Sequence, residues 1–277
     1  MLFSAFRHGY NRRVLARVPR RILSLATHRD VKRSPSIHIG TSGWHYAHWR
    51  GPFYPESLAP GGFLKHYFSF FHTVEINNSF YQLPREKTLI QWRDAVPAGF
   101  IFAVKASRFI THMKKLKDPE KSVPVFLDRM KNLGDSLGPI LFQLPPYWKL
   151  NRERFGLFLE KLPKNYRYSF EFRDSSWFQD AVYQALADHG SAFCIYDLNG
   201  KLSPLEVTAD FVYVRLHGPE GPYRGQYGPR ALSGWARLFS DWVRQDKEIY
   251  CYFDNDEGGY APRDALTLQK AVGKESE

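Results

Sequence analysis

Eight short apolar runs recur along this chain, most of them separated by stretches of helical periodicity, and each ends in a polar or charged residue. The runs are His38–Thr41, Val74–Asn78, Ile101–Lys105, Ile140–Gln143, Tyr168–Arg173, Ala192–Asp197, Phe211–His217 and Ile249–Asp254. Strands that alternate with helices imply a parallel sheet. Eight such units with none left over predict one closed (β/α)8 barrel, an α/β fold of the TIM-barrel type, rather than an open doubly wound sheet. No glycine-rich phosphate fingerprint of the Rossmann or P-loop kind occurs anywhere in the chain. A parallel barrel gathers its strand C-termini on one face, where such folds do chemistry. Glu75, Lys105, Gln143, Glu171, Arg173, Asp197, Arg215, His217 and Asp254 are therefore expected to meet at one mouth.

Alternation refines this expectation. Glu75 and Asn77 share one face of their run; so do Ser169, Glu171 and Arg173, and so do Tyr213, Arg215 and His217. Helices are expected over Phe63–Phe71, Lys87–Ala95, Pro119–Leu137, Glu153–Leu162, Phe178–His189, Ala231–Gln245 and Ala261–Val272. The connection Leu198–Asp210 is weakly helical and makes the poorest unit.

The net charge of +11 belongs mostly to one end. Residues 1–35 hold eight arginines and Lys32 against Asp30, which gives +8; the rest carries 30 basic and 27 acidic side chains, which gives +3. A nucleic-acid partner inferred from the overall charge would rest on that end alone. We therefore divide the chain into a basic extension, residues 1–35, and a barrel domain, residues 36–277. The extension is arginine-rich and acid-poor, with Leu15, Val18, Ile22 and Leu25 at helical spacing. It resembles a mitochondrial transit peptide interrupted by Pro19, and a disordered arm or a false start codon are the other readings. No apolar run approaches the roughly 18 residues that span a membrane. Cys194 and Cys251 fall inside expected strands and are read as core thiols, which points to a reducing, cytoplasmic compartment, with the mitochondrion as the alternative if the extension is a transit peptide.

Several segments in order carry a family resemblance. Gly40-Thr-Ser-Gly-Trp44, Phe53-Tyr-Pro55, Val74-Glu-Ile-Asn77 with Phe80-Tyr81, and Thr111-His112 open it. Leu141-Phe-Gln-Leu-Pro-Pro146, Glu171-Phe-Arg173 with Ser176-Trp177, and Arg215-Leu-His-Gly218 continue it. Over about residues 36–272 the chain resembles the domain-of-unknown-function family 72, also called YecE-like. The resemblance implies a TIM-barrel-like fold and brings no assigned activity. The chain departs from the family pattern at Asp254-Asn255, where two asparagines are usual.

The residues at the expected mouth suggest an acid/base enzyme of the hydrolase, lyase or isomerase type. Glu75 and Glu171 form a carboxylate pair that can divide acid and base roles, with His217 as proton carrier. The expected substrate is anionic or polyhydroxy, such as a phosphorylated sugar or a nucleotide-like molecule, with Lys105, Arg173 and Arg215 as an anion clamp. Thr41, Trp44, Asn77, Gln143, Trp177 and Asn255 complete the expected binding surface. The remaining loop aromatics are read as packing for their own loops. Lys105 could instead form a Schiff base, but nothing near it in the sequence argues for a depressed lysine pKa. No cofactor is obvious. A second reading is a metal-dependent hydrolase or isomerase with a divalent ion on Glu171, Asp197, His217 and Asp254. A third is a non-catalytic protein that captures nucleic acid or another polyanion; the near-balanced charge of the body counts against it.

Overall fold

Every long strand is buried on both faces, as a parallel sheet covered by helices requires. The computed structural model describes residues 36–275. Its strands are β1 (Ile37–Thr41), β2 (Thr73–Ile76), β3 (Ile101–Lys105), β4 (Leu137–Gln143), β5 (Tyr168–Glu171), β6 (Ala192–Leu198), the two-residue β7 (Lys201–Leu202), β8 (Phe211–Leu216) and β9 (Glu248–Phe253). The helices are α1 (Phe63–Tyr67), α2 (Asn78–Tyr81), α3 (Glu86–Ala95), α4 (Pro119–Met130), α5 (Arg152–Glu160), α6 (Asp180–His189), α7 (Pro229–Val243) and α8 (Tyr260–Glu275). The basic extension lies outside the described residues.

Eight strands pair in parallel in the order β1-β9-β8-β6-β5-β4-β3-β2. The barrel closes between β1 and β2 through a single bridge, Ser42 to Glu75, where the Gly43 N–H donates to the Glu75 carbonyl at 2.8 Å. Below that bridge the Tyr67 hydroxyl of α1 fills the seam. It accepts from the Thr41 N–H at 2.9 Å and donates to the Thr73 carbonyl at 3.0 Å. Gly40 allows the two strands to come this close, because a Cβ there would lie 2.3 Å from the Thr73 oxygen.

Strand alternation sorts the core into two layers. Val74, Ile76, Phe102, Val104, Phe142, Phe170, Val212, Val214 and Cys251 belong to the large core shared with the helices. Ala103, Leu141, Cys194, Tyr213 and Tyr252 fill the barrel interior. Small residues there face two tyrosines, and the polar residues of the same parity emerge above them at the strand C-termini. Both cysteines are free and buried.

Four segments depart from the sequence expectation. The long helix expected over Pro119–Leu137 ends at Met130 and passes through a 3-10 stretch with Gly134 at φ 55°. The chain then enters β4 at Leu137. Gly138-Pro139 does not terminate a helix but sits at a register shift against β3, a place that tolerates proline's missing donor. Leu198–Asp210 contains no helix. Asn199 and Gly200, both at positive φ, turn β6 back into the antiparallel β7. An Asn-Gly pair is a strong hairpin signal in its own right. The first helix stops at Tyr67 instead of Phe71, and a short helix, α2, follows β2 where none is among the expected helices.

Candidate active site at the barrel mouth

Arg215 enters the mouth from the inner face of β8 and has no solvent exposure. Its Nε and Nη2 grip Glu75 at 3.0 and 2.7 Å, its Nη1 donates to Glu171 at 3.0 Å, and its Nη2 also reaches Asp254 at 3.0 Å. Tyr213 donates to the second Glu75 oxygen at 2.7 Å. One guanidinium thus gathers carboxylates from β2, β5 and the end of β9.

The fixed polarity of these groups propagates outward. Arg215 only donates and Glu75 only accepts, so the Ser42 hydroxyl gives its proton to Glu75 and accepts from Arg215 Nη2 at 3.0 Å. Asn77 must then present its NH2 to Ser42. Its Oδ1 is left without a partner among the described residues. The same logic sets the His217 tautomer. Its Nε2 faces Arg173 Nη2 at 2.9 Å and Arg215 Nη1 at 3.2 Å, both pure donors. In the tautomer these donors favour, Nε2 accepts and Nδ1 carries the proton toward Asp254 at 3.0 Å. His217 is fully buried, and its Nε2 also lies 3.4 Å from Glu171 Oε1.

Burial works against the charge of Glu171, but Arg173, Arg215 and His217 outweigh it and hold the carboxyl well below the usual range. Asp254 is also lowered, with Arg215 and His217 overcoming its burial. Arg215 is pushed well above its ordinary value, because Glu75, Glu171 and Asp254 outweigh its desolvation. Three carboxylates face Arg173, Arg215 and Lys105, so the mouth is balanced rather than a positive funnel.

Lys105, the last residue of β3, is the exception to this pairing. It is 9% exposed, and its Nζ lies 4.5 Å from the Phe80 ring centroid. Among the described residues its amine has no hydrogen bond or ion pair, and it is not enclosed: the tip of an otherwise buried stem opens to solvent. Burial, then the charge of Arg215, lowers it to about 8 despite the nearby Asp254, Glu171 and Glu75. The sequence held no sign of this, because the cause is burial beneath the mouth and a cation four strands away in the chain. His112 packs edge-on to the same Phe80 ring at 4.9 Å, and burial, then Lys105, brings it down to about 4.

The structure brings Glu75, Glu171, His217, Arg173, Arg215 and Asn77 into one network, with Lys105 at its edge. Gln143, at the end of β4, is 8% exposed and donates to the Leu144 carbonyl at 3.0 Å. Other expected site residues have different surroundings. Thr41 is buried in the β1–β2 seam, where its hydroxyl donates to the Gly43 carbonyl. Trp177 has no exposure; it stacks on Phe172 at 4.7 Å and donates to the Trp148 carbonyl, so it belongs to the outer core. Asn255 is buried and ties the Gly225 carbonyl to Asp264. Trp44 is 6% exposed and meets Trp92 edge-on, lining with Asn77 a cavity of about 500 Å3 beside the mouth. Arg215 cannot serve in the anion clamp, since burial and its acceptors engage all of its nitrogens; Lys105 and Arg173 are the cations left at the rim.

Asp197 does not join the mouth. Ala192 and Cys194 point into the barrel, so parity puts Tyr196 at the mouth and Asp197 on the opposite face, beside Tyr227, where burial raises its carboxyl. The donor set expected for a divalent ion is therefore broken: Asp197 is on the wrong side, and Arg215 stands among the remaining carboxylates. Among the described residues no group of three or more histidine, cysteine or acidic side chains is placed to hold a metal. Ser42 and Tyr213 belong to the network although neither is among the expected site residues. Tyr213 shares the parity of Arg215, which is the signal the sequence offers for it; Ser42 lies past its strand, where parity no longer informs.

The profile of the family described as "Protein of unknown function DUF72" matches residues 38–277. The chain belongs to this family. The UPF0759 protein YunF of Bacillus subtilis is 26% identical over 258 residues, covering 81% of this chain and 90% of YunF. The UPF0759 protein YecE of Escherichia coli K12 is 31% identical over 144 residues, about half of each chain (51% and 50%). A solved DUF72 structure from Thermotoga maritima superposes with a TM-score of 0.77 at 31% identity, covering 86% of this chain and 99% of that one. One from Enterococcus faecalis shares the fold at 20% identity, with a TM-score of 0.71 and coverages of 86% and 95%. No described helix is long and apolar enough to cross a membrane.

Proposed function

We propose that this DUF72 protein is an enzyme that binds a small ligand carrying an anionic group at the barrel mouth and transforms it by acid/base chemistry. The observation that carries this reading is the single open amine of Lys105 beside a network in which every other mouth charge has a partner. Arg173, whose side chain is 10% exposed, shares the rim with it and supplies a planar fork for phosphate or carboxylate. A group that titrates near the working pH is the best placed to give and take protons. That description fits Lys105 better than the expected pair, because Glu75 and Glu171 have no exposure and their oxygens are committed to Arg215, Arg173, Ser42 and Tyr213. In this reading those two carboxylates fix the cations, and Asp254 fixes the tautomer of His217. Phosphorylated or acidic sugar-like molecules remain the favoured ligand class. No cofactor is assigned. The two buried thiols support the cytoplasmic assignment.

The test is calorimetric titration of the full chain with inorganic phosphate, with thermal unfolding followed on the same samples. Wild type should bind, and Lys105→Met and Arg173→Met should each weaken binding at least about tenfold while remaining folded, the loss of one charge-assisted contact. Absence of binding by wild type, or unchanged binding in both folded variants, rejects the reading.

A further inference from the structure

We infer that Lys105 is a nucleophile that forms an imine with the carbonyl group of a small anionic aldehyde or ketone. This rests on the reading of the mouth as an anion site and goes beyond it by naming the reacting atom and the functional group it meets. Four observations converge. The Lys105 stem is enclosed, so the amine has a fixed position at the C-terminal edge of β3. Its floor is the face of Phe80, a weak partner compared with a carboxylate. The carboxylates that would otherwise hold it as an ammonium are engaged by Arg215, by Arg173 and by His217. Arg173, also at the rim, stacks on Tyr196 with its guanidinium carbon 4.9 Å from the ring centroid, which steadies it to receive an anion.

A lysine kept only for anion binding gains from a neighbouring carboxylate or from free access to water. Lys105 has neither. Its surroundings favour the neutral amine, and its value of about 8 leaves a usable fraction of that form near neutral pH. The step balances without a further reactant. Lys105 loses a proton to solvent at the open mouth, and the Nζ lone pair attacks the carbonyl carbon. The carbonyl π pair moves to oxygen, which takes a proton while the nitrogen gives one up to solvent, and a carbinolamine results; the nitrogen's second proton leaves as the hydroxyl departs. Loss of that oxygen as water leaves the imine, so that amine plus carbonyl gives imine plus one water. Protonated, the imine withdraws electrons from the adjacent carbon, which suits lyase or isomerase chemistry at that position.

The experiment is reductive trapping on the full chain at pH 7.5 with sodium cyanoborohydride. Glyoxylate serves as the anionic aldehyde and formaldehyde as the neutral one, and each lysine is followed by peptide mass spectrometry. The exposed Lys65 is the internal reference. Glyoxylate should label Lys105 at least tenfold faster than Lys65, and Arg173→Met should slow glyoxylate but not formaldehyde at Lys105. Thermal unfolding and the Lys65 rate in the same sample report that the variant is folded. Fast labelling by both aldehydes, indifferent to Arg173→Met, would support the imine while overturning the anion site. Labelling of Lys105 no faster than Lys65 by either aldehyde overturns the imine, and it does so even where phosphate binding is intact.

Discussion

A guanidinium with no access to water and an amine with only its tip in water stand in the same mouth, and their energetics run in opposite directions. Removing Arg215 strands Glu75, Glu171 and Asp254 as buried charges. Arg215→Met should therefore destabilise the fold by ~3–5 kcal/mol at pH 7, a drop of roughly 10 °C in Tm for a chain of this size. Acid should narrow the gap, because the stranded carboxylates then take up protons. Removing Lys105 should do the reverse. Its value of about 8, against 10.5 for an ordinary lysine, means that folding disfavours the ammonium, fully below the folded value and not at all once pH passes the unfolded one. Lys105→Met should be more stable than wild type at pH 7, by up to ~3 kcal/mol, and the advantage should vanish by about pH 10.5. Chemical denaturation of both variants across pH checks both signs. A residue held at a cost in stability is what a working site is expected to contain.

At the scale of elements, the weakest joint of the barrel is the β1–β2 seam, where a tyrosine hydroxyl stands in for part of a strand ladder. Tyr67→Phe leaves the Thr41 N–H and the Thr73 carbonyl without that partner and should cost ~1–3 kcal/mol. The Thr41 amide should also exchange its hydrogen faster than amides in β8, as native-state hydrogen exchange will show. Equal protection in wild type and variant would mean that the seam is held by something else. None of this was legible in the sequence, because Tyr67 reaches its partners through space rather than through any periodicity. Alternation, by contrast, is enough to put Glu75, Glu171, Arg215 and His217 on inward faces, since a strand's parity is local. It misplaces Asp197 only when the count along β6 is anchored on the end of the run instead of on Ala192 and Cys194. The Leu198–Asp210 connection shows the same limit: a short local signal, Asn199-Gly200, outweighs a faint helical pattern.

Across the whole molecule, the eightfold repeat made the barrel and its working face readable, and the ordered motifs made the family readable. The distribution of charge within the mouth was not, because salt-bridge partners are chosen by strands far apart in sequence. Glu171 and Asp254 have lowered values, so the stability they bring is present above roughly pH 4 and is lost as pH falls through their folded values. Wild type should resist acid down to about that pH and then unfold steeply. Glu171→Gln, less stable at pH 7, should show a shallower acid limb in a circular-dichroism titration. Parallel acid limbs would remove Glu171 from the network. All of these expectations depend on one division of labour, in which Arg215 absorbs the buried carboxylates and Lys105 is left unpaired. The direct measurement is an NMR titration of the lysine 13Cε resonances of the full chain, with Lys105 assigned by its loss in Lys105→Arg. The account predicts a midpoint near 8 for Lys105, well apart from the exposed lysines; a midpoint among theirs, near 10.4, would contradict it.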